Sequence, residues 1–236
     1  MSDRLKLALP SKGRLMGLSI DLLARAGLNV KKNGDERGYR GEVLELDNIE
    51  VVFISASEIA WYLKTGKVHL GITGEDLICE HIADYKTRVD IIKPLGFGFA
   101  DVIVAVPDAW LDVRTMADLI EIAEQFRTEH GRWFRVATKY MNLTRTFFTN
   151  AGFTDYRIVE SLGATEGTPA SGTADIIVDI TTTGATLRAN GLRVLDDGVI
   201  LKSQANLVAS HAASWTPQTR QVLNEIISRL EAEPAT

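Results

Sequence analysis

The residues with the densest chemical potential lie in one run, Asp175-Ile-Ile-Val-Asp-Ile-Thr-Thr-Thr-Gly-Ala-Thr-Leu-Arg-Ala-Asn-Gly191. An apolar stretch from Ile176 to Ile180 is broken by one carboxylate, Asp179. Thr181, Thr182, Thr183, Gly184, Ala185 and Thr186 follow, and a short helical run closes at Asn190-Gly191, a pair suited to a helix C-cap. A strand that turns into a helix through threonines and a glycine leaves several backbone N–H groups without intrahelical partners. Those donors, the hydroxyls and the positive helix end together favour a phosphate. Asp179, at the carboxyl end of the strand, is placed to accept hydrogen bonds from sugar hydroxyls. These residues predict a site for a phosphorylated sugar, although a Gly-Thr turn after a strand is also an ordinary way to begin a helix.

Such a turn needs strands and helices to hold it. Residues 5–9 read as a buried strand, and Pro10-Ser-Lys-Gly-Arg14 turns it into a helix ended by Gly27. The charged stretch 31–41 reads as a mobile loop. Residues 42–46 and 49–54 read as a hairpin about Asp47-Asn48, and Ser55 or Ser57 can N-cap the next helix, closed by Gly66. A strand at 69–73 leads into a helix from about Glu75, a strand begins at 91, and Gly96-Phe-Gly-Phe99 reads as a crossing. Beyond it, strands at 101–106, 134–138, 156–159, 176–180, 192–195 and 206–209 alternate with helices at 115–129 and 143–151. The last helix has Thr216 as N-cap, Pro217 at its first position, and Val222, Leu223, Ile226, Ile227 and Leu230 on one face.

Alternation of this kind predicts an α/β fold with parallel sheets. Two lobes are expected, 1–99 with 182–236 and an inserted 100–181, crossing near 96–100 and 179–183. That arrangement would put the phosphate turn in a cleft between lobes, at strand carboxyl ends.

Bulk composition narrows the function classes. The chain has 236 residues, 45% hydrophobic and 24% charged, the make-up of an ordinary globular protein. A net charge of −5 with scattered basic residues argues against nucleic acid as a partner. One cysteine, Cys79, excludes an internal disulfide, and the four histidines have no metal-ligand spacing. No apolar run of ~18 residues and no signal-peptide pattern is present, so a cytoplasmic protein off the membrane is expected.

Upstream of the turn stands Glu166-Gly-Thr-Pro-Ala-Ser-Gly-Thr-Ala174. From Glu166 to Leu187 the chain resembles the signature of the ATP phosphoribosyltransferases, keeping Glu166, Gly172, Ala174, Ile177, Asp179, Thr183, Gly184, Thr186 and Leu187 in step. Leu9-Pro10, Lys12-Gly-Arg-Leu15, Gly71-Ile-Thr-Gly74 with Asp76, and Ala137-Thr-Lys-Tyr140 extend the resemblance over the whole chain. It implies a bilobal fold similar to type II periplasmic binding proteins. It also implies transfer of the phosphoribosyl group of phosphoribosyl pyrophosphate to N1 of ATP adenine, the first step of histidine biosynthesis, with Mg²⁺ carried on substrate phosphates and not on protein side chains. Adenine N1 carries a lone pair and no proton, so the attack needs no general base, in keeping with the lack of a Ser/His/Asp or Cys/His constellation.

On this resemblance Thr181 to Thr186 would bind the 5-phosphate, and Glu166 and Asp179 the ribose hydroxyls. Lys12 and Arg14 would meet pyrophosphate or ATP phosphates, Arg14 being equally a solvating helix residue. Gly74, Glu75, Asp76 and Lys139 are nucleotide-side candidates. An arginine of the 31–41 loop, Arg37 or Arg40, would stabilise the departing pyrophosphate, as would Lys12. The sequence departs from the family at Ser55, where an arginine is usual, and at Tyr140-Met141, where Tyr-Pro is usual. The chain looks like the short form, without a C-terminal regulatory domain, similar to enzymes that form a homodimer core and join a regulatory subunit resembling histidyl-tRNA synthetase. The alternative from another class is a solute-binding module of the same shape that binds without turnover.

Overall fold

The computed structural model describes residues 4–33 and 39–232. They fall into two compact units, one from the described residues up to Gly98 and from Gln204 onward, the other from Phe99 to Ser203.

In the first unit, the leucine alternation builds β1 (Leu5–Pro10), buried along nearly its whole length. Gly13, at a φ of +75° that a side chain disfavours, lets the chain turn at once into α1 (Gly13–Arg25). There follow β2 (Val30–Lys32), β3 (Arg40–Val43), β4 (Leu46–Ile54), α2 (Ala56–Lys64), β5 (Leu70–Gly74), α3 (Glu75–His81), the single turn α4 (Tyr85–Arg88) and β6 (Val89–Pro94). The second unit comprises β7 (Ala100–Pro107), α5 (Met116–His130), β8 (Phe134–Thr138), α6 (Met141–Ala151), β9 (Tyr156–Glu160), β10 (Ile176–Thr181), α7 (Ala185–Ala189) and β11 (Leu192–Ser203). The chain then returns to the first unit through β12 (Ala205–Ser210) and α8 (Pro217–Ala232).

The first sheet has the order β2-β3-β4-β1-β5-β12-β6, with β4, β1 and β5 mutually parallel and the flanking strands antiparallel. Leu5, Leu7 and Leu9 point with Ile49, Val51 and Phe53 into one core, which α1 and α8 close with Leu22, Leu23, Val222, Ile226 and Leu230. On the opposite face Ala8 packs against Ile59, Ala60 and Leu63 of α2. A strand covered on both faces reads as a nearly unbroken apolar run, which is why β1 does. Truncating one of these buried leucines to alanine would remove about 2–5 kcal/mol of stability.

The second sheet has the order β11-β7-β10-β8-β9, with β10, β8 and β9 parallel and β7 antiparallel to both its neighbours, β10 and β11. Ile177 of β10 lies in a small core with Ile103, Ala105, Ala137 and Leu187.

Three expectations need correction. The sheets are mixed and not parallel throughout, because β3 and β12 in the first and β7 in the second run against their neighbours. The second crossing is at Ser203–Gln204 and not near Thr182: after α7 the chain pairs along β7, from Leu192 opposite Pro107 to Ser203 opposite Ala100. The stretch read as a mobile loop supplies β2 and the start of β3, which pair as Lys31 with Glu42 and Lys32 with Gly41. Residues 34–38, among them Arg37, lie outside the described residues. The turn between β3 and β4 falls at Leu44-Glu45, where Glu45 accepts hydrogen bonds from the backbone and side-chain nitrogens of Asn29 at 2.7 and 2.6 Å. Asp47 and Asn48 lie within β4 itself, in the part where its register against β3 shifts.

Candidate active site

The site in the second unit is built outward from β10. At its start Asp175 accepts hydrogen bonds from Nη1 and Nη2 of Arg132, at 2.8 and 3.0 Å, and from the backbone and side chain of Arg135. Burial pushes this carboxyl up, but the two arginines outweigh it and hold it down at about 2. The strand is therefore pinned at its amino end. Its neighbours in the sequence give Asp175 no role. An acid one residue before a strand with arginines at 132 and 135 is the signal that could have exposed it.

At the carboxyl end the three threonines divide their work. Thr181 Oγ1 accepts the Gly184 N–H at 2.9 Å and Thr183 Oγ1 accepts the Ala185 N–H at 3.3 Å. Both hydroxyl protons stay available to an incoming oxygen. Thr182 instead donates to the Phe99 carbonyl at 3.3 Å, so its hydroxyl is spent on the scaffold. Gly184 adopts a φ of +68°, the conformation that starts α7 without a side-chain cap. With only five residues, α7 has a small dipole, so the donors for a phosphate are individual N–H and O–H groups.

Parallel pairing brings two further residues to this end. Ile177 lies opposite Ala137, so Lys139 emerges beside Asp179. Lys139 is held between Thr138 and Tyr140, whose backbone N–H donates to Thr138 Oγ1 at 2.8 Å. Ser161 donates its N–H to the Thr138 carbonyl at 3.1 Å, and buried Thr165 donates to Ser161 Oγ at 3.0 Å. That tie carries the single 3₁₀ turn Thr165–Gly167 and with it Glu166. Sequence reasoning gave no part to Ser161 or Thr165.

Glu166, Asp179, the 181–183 turn and Thr186 line one cavity of about 370 Å³, with Ala100 closing a side that the sequence did not reveal. Asp179 is half-buried. Burial raises its carboxyl above the ordinary aspartate range, the Ile180 N–H and Lys139 oppose that, and Glu166 adds to it. Two carboxylates and one ammonium around a hydroxyl-rich turn can hold a polyol at one end and a phosphate at the other.

The remaining candidates lie in the first unit. Because β1, β4 and β5 are parallel, their carboxyl ends share one edge, which gathers Lys12, Gly13, Arg14, Ser55, Gly74 and Glu75. Lys12 and Arg14 are exposed, and neither has an ion pair among the described residues. Asp76 is 6% exposed and engaged in its surroundings, so it belongs to the framework more than to a ligand surface. Arg40 begins β3, exposed, 3.9 Å from Glu50. Ser55 N-caps α2 in a capping box: its Oγ accepts the Glu58 N–H and its own N–H donates to Glu58 Oε2 at 3.0 Å. The departure from arginine at this position thus has a local structural use. Cys79 offers no nucleophile, since burial pushes its thiol up to about 11.

Residues 55–232 match the family model described as HisG: ATP phosphoribosyltransferase. The chain belongs to the ATP phosphoribosyltransferase family. Curated relatives agree: an ATP phosphoribosyltransferase of Bradyrhizobium diazoefficiens is 61% identical over 98% of this chain and 71% of its own length. One of Rhodopseudomonas palustris (strain BisA53) is 61% identical over 98% of this chain and 73% of its own. Among solved structures, the ATP phosphoribosyl transferase (HisG:HisZ) complex from Thermotoga maritima contains a chain of the same fold. Its TM-score is 0.73 at 23% identity, covering 96% of both chains. An ancestral amino-acid-binding protein, AncCDT-1, matches at a TM-score of 0.53 and 16% identity, over 97% of this chain and 88% of its own. At that identity the likeness speaks for fold alone, and it agrees with the type II periplasmic-binding-protein class. Family membership makes the chain a pentosyltransferase that moves the phosphoribosyl group of phosphoribosyl pyrophosphate to ATP, the opening step of histidine biosynthesis.

Proposed function

We propose that the cavity around β10 is the phosphoribosyl pyrophosphate subsite of this transferase. Thr181, Thr183, Thr186 and the backbone of Gly184 and Ala185 hold the 5-phosphate, while Glu166 and Asp179 accept from the ribose hydroxyls. The observation that carries this reading is the gathering of both carboxylates and the threonine turn in a single cavity of about 370 Å³. Thr182 serves as an anchor for the turn through its bond to Phe99.

The reaction joins adenine N1 to C1 of the ribose as the C1–O bond to pyrophosphate breaks, with the electron pair leaving on pyrophosphate. No proton leaves N1 in this step. Positive charge grows on the ribose, beside Glu166 and Asp179, and negative charge grows on the leaving group. Catalysis is then positioning and electrostatics. Lys139 is a candidate cation whose charge reaches Asp179. Lys12, Arg14 and the loop arginine, Arg37 or Arg40, are the other cations we assign to phosphates of ATP or pyrophosphate, with Gly74 and Glu75 bordering the nucleotide. Mg²⁺ on the pyrophosphate oxygens would supply further neutralisation.

Pyrophosphate release from ATP plus phosphoribosyl pyrophosphate tests the assignment, with Thr186→Val as the site variant. The variant should raise KM for phosphoribosyl pyrophosphate well above any change for ATP. Equal weakening of both, with the fold intact, would count against the assignment.

We also propose that the chain is a short-form catalytic subunit, forming a homodimer in the cytoplasm and working with a separate regulatory subunit. The T. maritima complex named HisG:HisZ, which contains a chain of this fold, supports that reading. Among the described residues no helix is long and apolar enough to cross a membrane, which is compatible with it. The purified chain should be insensitive to histidine and gain activity and histidine inhibition with such a partner. Strong inhibition of the chain alone would exclude the separate regulator while leaving the catalytic assignment standing.

A further inference from the structure

Along the outer edge of the second sheet, β9 and α6 border an open hollow of about 600 Å³, apart from the residues assigned to the transferase reaction. Its floor is apolar, from Phe153 and Ile158, and the Phe153 ring packs tilted against Phe148 and Tyr156, with centroids 4.8 and 5.1 Å away. Its walls carry Arg145 and Thr149, one helical turn apart on α6, and Thr154, Tyr156 and Arg157 on and just before β9.

Arg145 and Arg157 are exposed, so water screens their mutual repulsion, but two guanidinium groups bordering one hollow favour an anion between them. Neighbouring arginines have such partners: Arg127 pairs with Asp155, and Arg132 and Arg135 share Asp175. Arg145 and Arg157 have no ion pair or hydrogen bond among the described residues, and no carboxylate lines the hollow. The hydroxyls of Thr149, Thr154 and Tyr156 make no hydrogen bond among the described residues, and the charge of Arg145 reaches the Tyr156 phenol. The hollow thus sets two guanidinium donors and three hydroxyls, each able to donate, around an apolar floor, with no carboxylate among them. Two planar forks and three hydroxyls exceed what the two oxygens of a carboxylate can accept, and match the terminal oxygens of a phosphate.

We propose that this hollow is a second anion site, taking the phosphate group of inorganic phosphate or of a small phosphomonoester. Residue-resolved amide NMR of the intact chain separates it from the turn at residues 181–186. Inorganic phosphate and glycerol phosphate are titrated in parallel, with acetate as control. Saturable shifts at Thr149, Thr154 and Tyr156 are expected with the phosphates, and the tighter of the two identifies the source. R145Q and R157Q should each weaken binding at least ~10-fold, as loss of a charge-assisted pair would. Their melting temperatures without phosphate should be unchanged, both side chains being exposed. Shifts that stay linear to high concentration, that survive in the R145Q/R157Q double variant, or that acetate reproduces equally would overturn the proposal.

Discussion

At the scale of single residues, Asp179 and Gly184 carry opposite kinds of constraint. Burial is the largest influence on Asp179 and lifts its carboxyl above 3.8 in the folded state. Such a group costs the fold stability once it is ionised, over the interval between 3.8 and its raised value and at every pH above. Asp179→Asn, which resembles the protonated acid, should therefore leave the melting temperature at neutral pH unchanged or raised. Activity should fall ~10²–10³-fold, the usual loss for one transition-state contact. The wild-type pH–rate profile should show an acid limb above the ordinary aspartate range, which the variant lacks. A variant that unfolds while its folded fraction keeps full specific activity would assign Asp179 a purely structural part. Gly184 is constrained by its backbone: a Cβ there would meet Arg188 Nη1 at 2.9 Å, which can swing away, but the φ of +68° cannot be relieved. Gly184→Val should cost about 1–2 kcal/mol and raise KM for phosphoribosyl pyrophosphate more than for ATP, measured by steady-state kinetics.

At the scale of elements, β10 works because both of its ends are fixed. The Asp175 side chain is 10% exposed, and its carboxyl sits at about 2 because Arg132 and Arg135 overcome the cost of burial. Lowered from 3.8, it contributes stability that is complete above that value and lost as pH falls toward about 2. The shift corresponds to about 2 kcal/mol. Asp175→Asn should lower the urea midpoint at pH 7 accordingly and flatten the acid loss between pH 4 and 2. An unchanged midpoint would mean that the clamp is worth no more than its desolvation. The capping box of α2 is a smaller fixture, and Ser55→Ala should cost about 1 kcal/mol by the same measurement.

At the scale of the molecule, two histidines of the first unit set opposite pH slopes. His69 is buried and its ring is held below 6.5, chiefly by desolvation; it accepts from the Lys6 N–H, so its other nitrogen donates to the Ser214 carbonyl at 3.3 Å. A depressed base adds stability above 6.5 that is lost as pH falls through 6.5 toward its folded value. His211 is raised by hydrogen bonds to Asp90 and to the Thr87 carbonyl, so its contribution is full below 6.5 and fades as pH rises through its folded value. Melting temperature against pH should lose its acid slope in His69→Gln and its slope on the alkaline side of 6.5 in His211→Gln. Identical profiles in both variants would contradict the assignments.

Much of this was legible in the amino-acid order because it rests on local rules. The three threonines before Gly184, the C-cap pair Asn190-Gly191, the Thr216-Pro217 helix start and the alternation of strands with helices are all properties of neighbouring residues. Gly184 and Gly191 do take the positive φ values that their places in the pattern demand. What tertiary structure decided was non-local. Lys139 and Glu166 join Asp179 because β8 and β10 pair in one register and because Ser161 ties a loop to Thr138. The chain leaves the second unit at Ser203 because β11 finds a partner in β7 more than eighty residues earlier. Periodicity tells a strand which face to bury, but it says nothing about which distant strand will satisfy its hydrogen bonds.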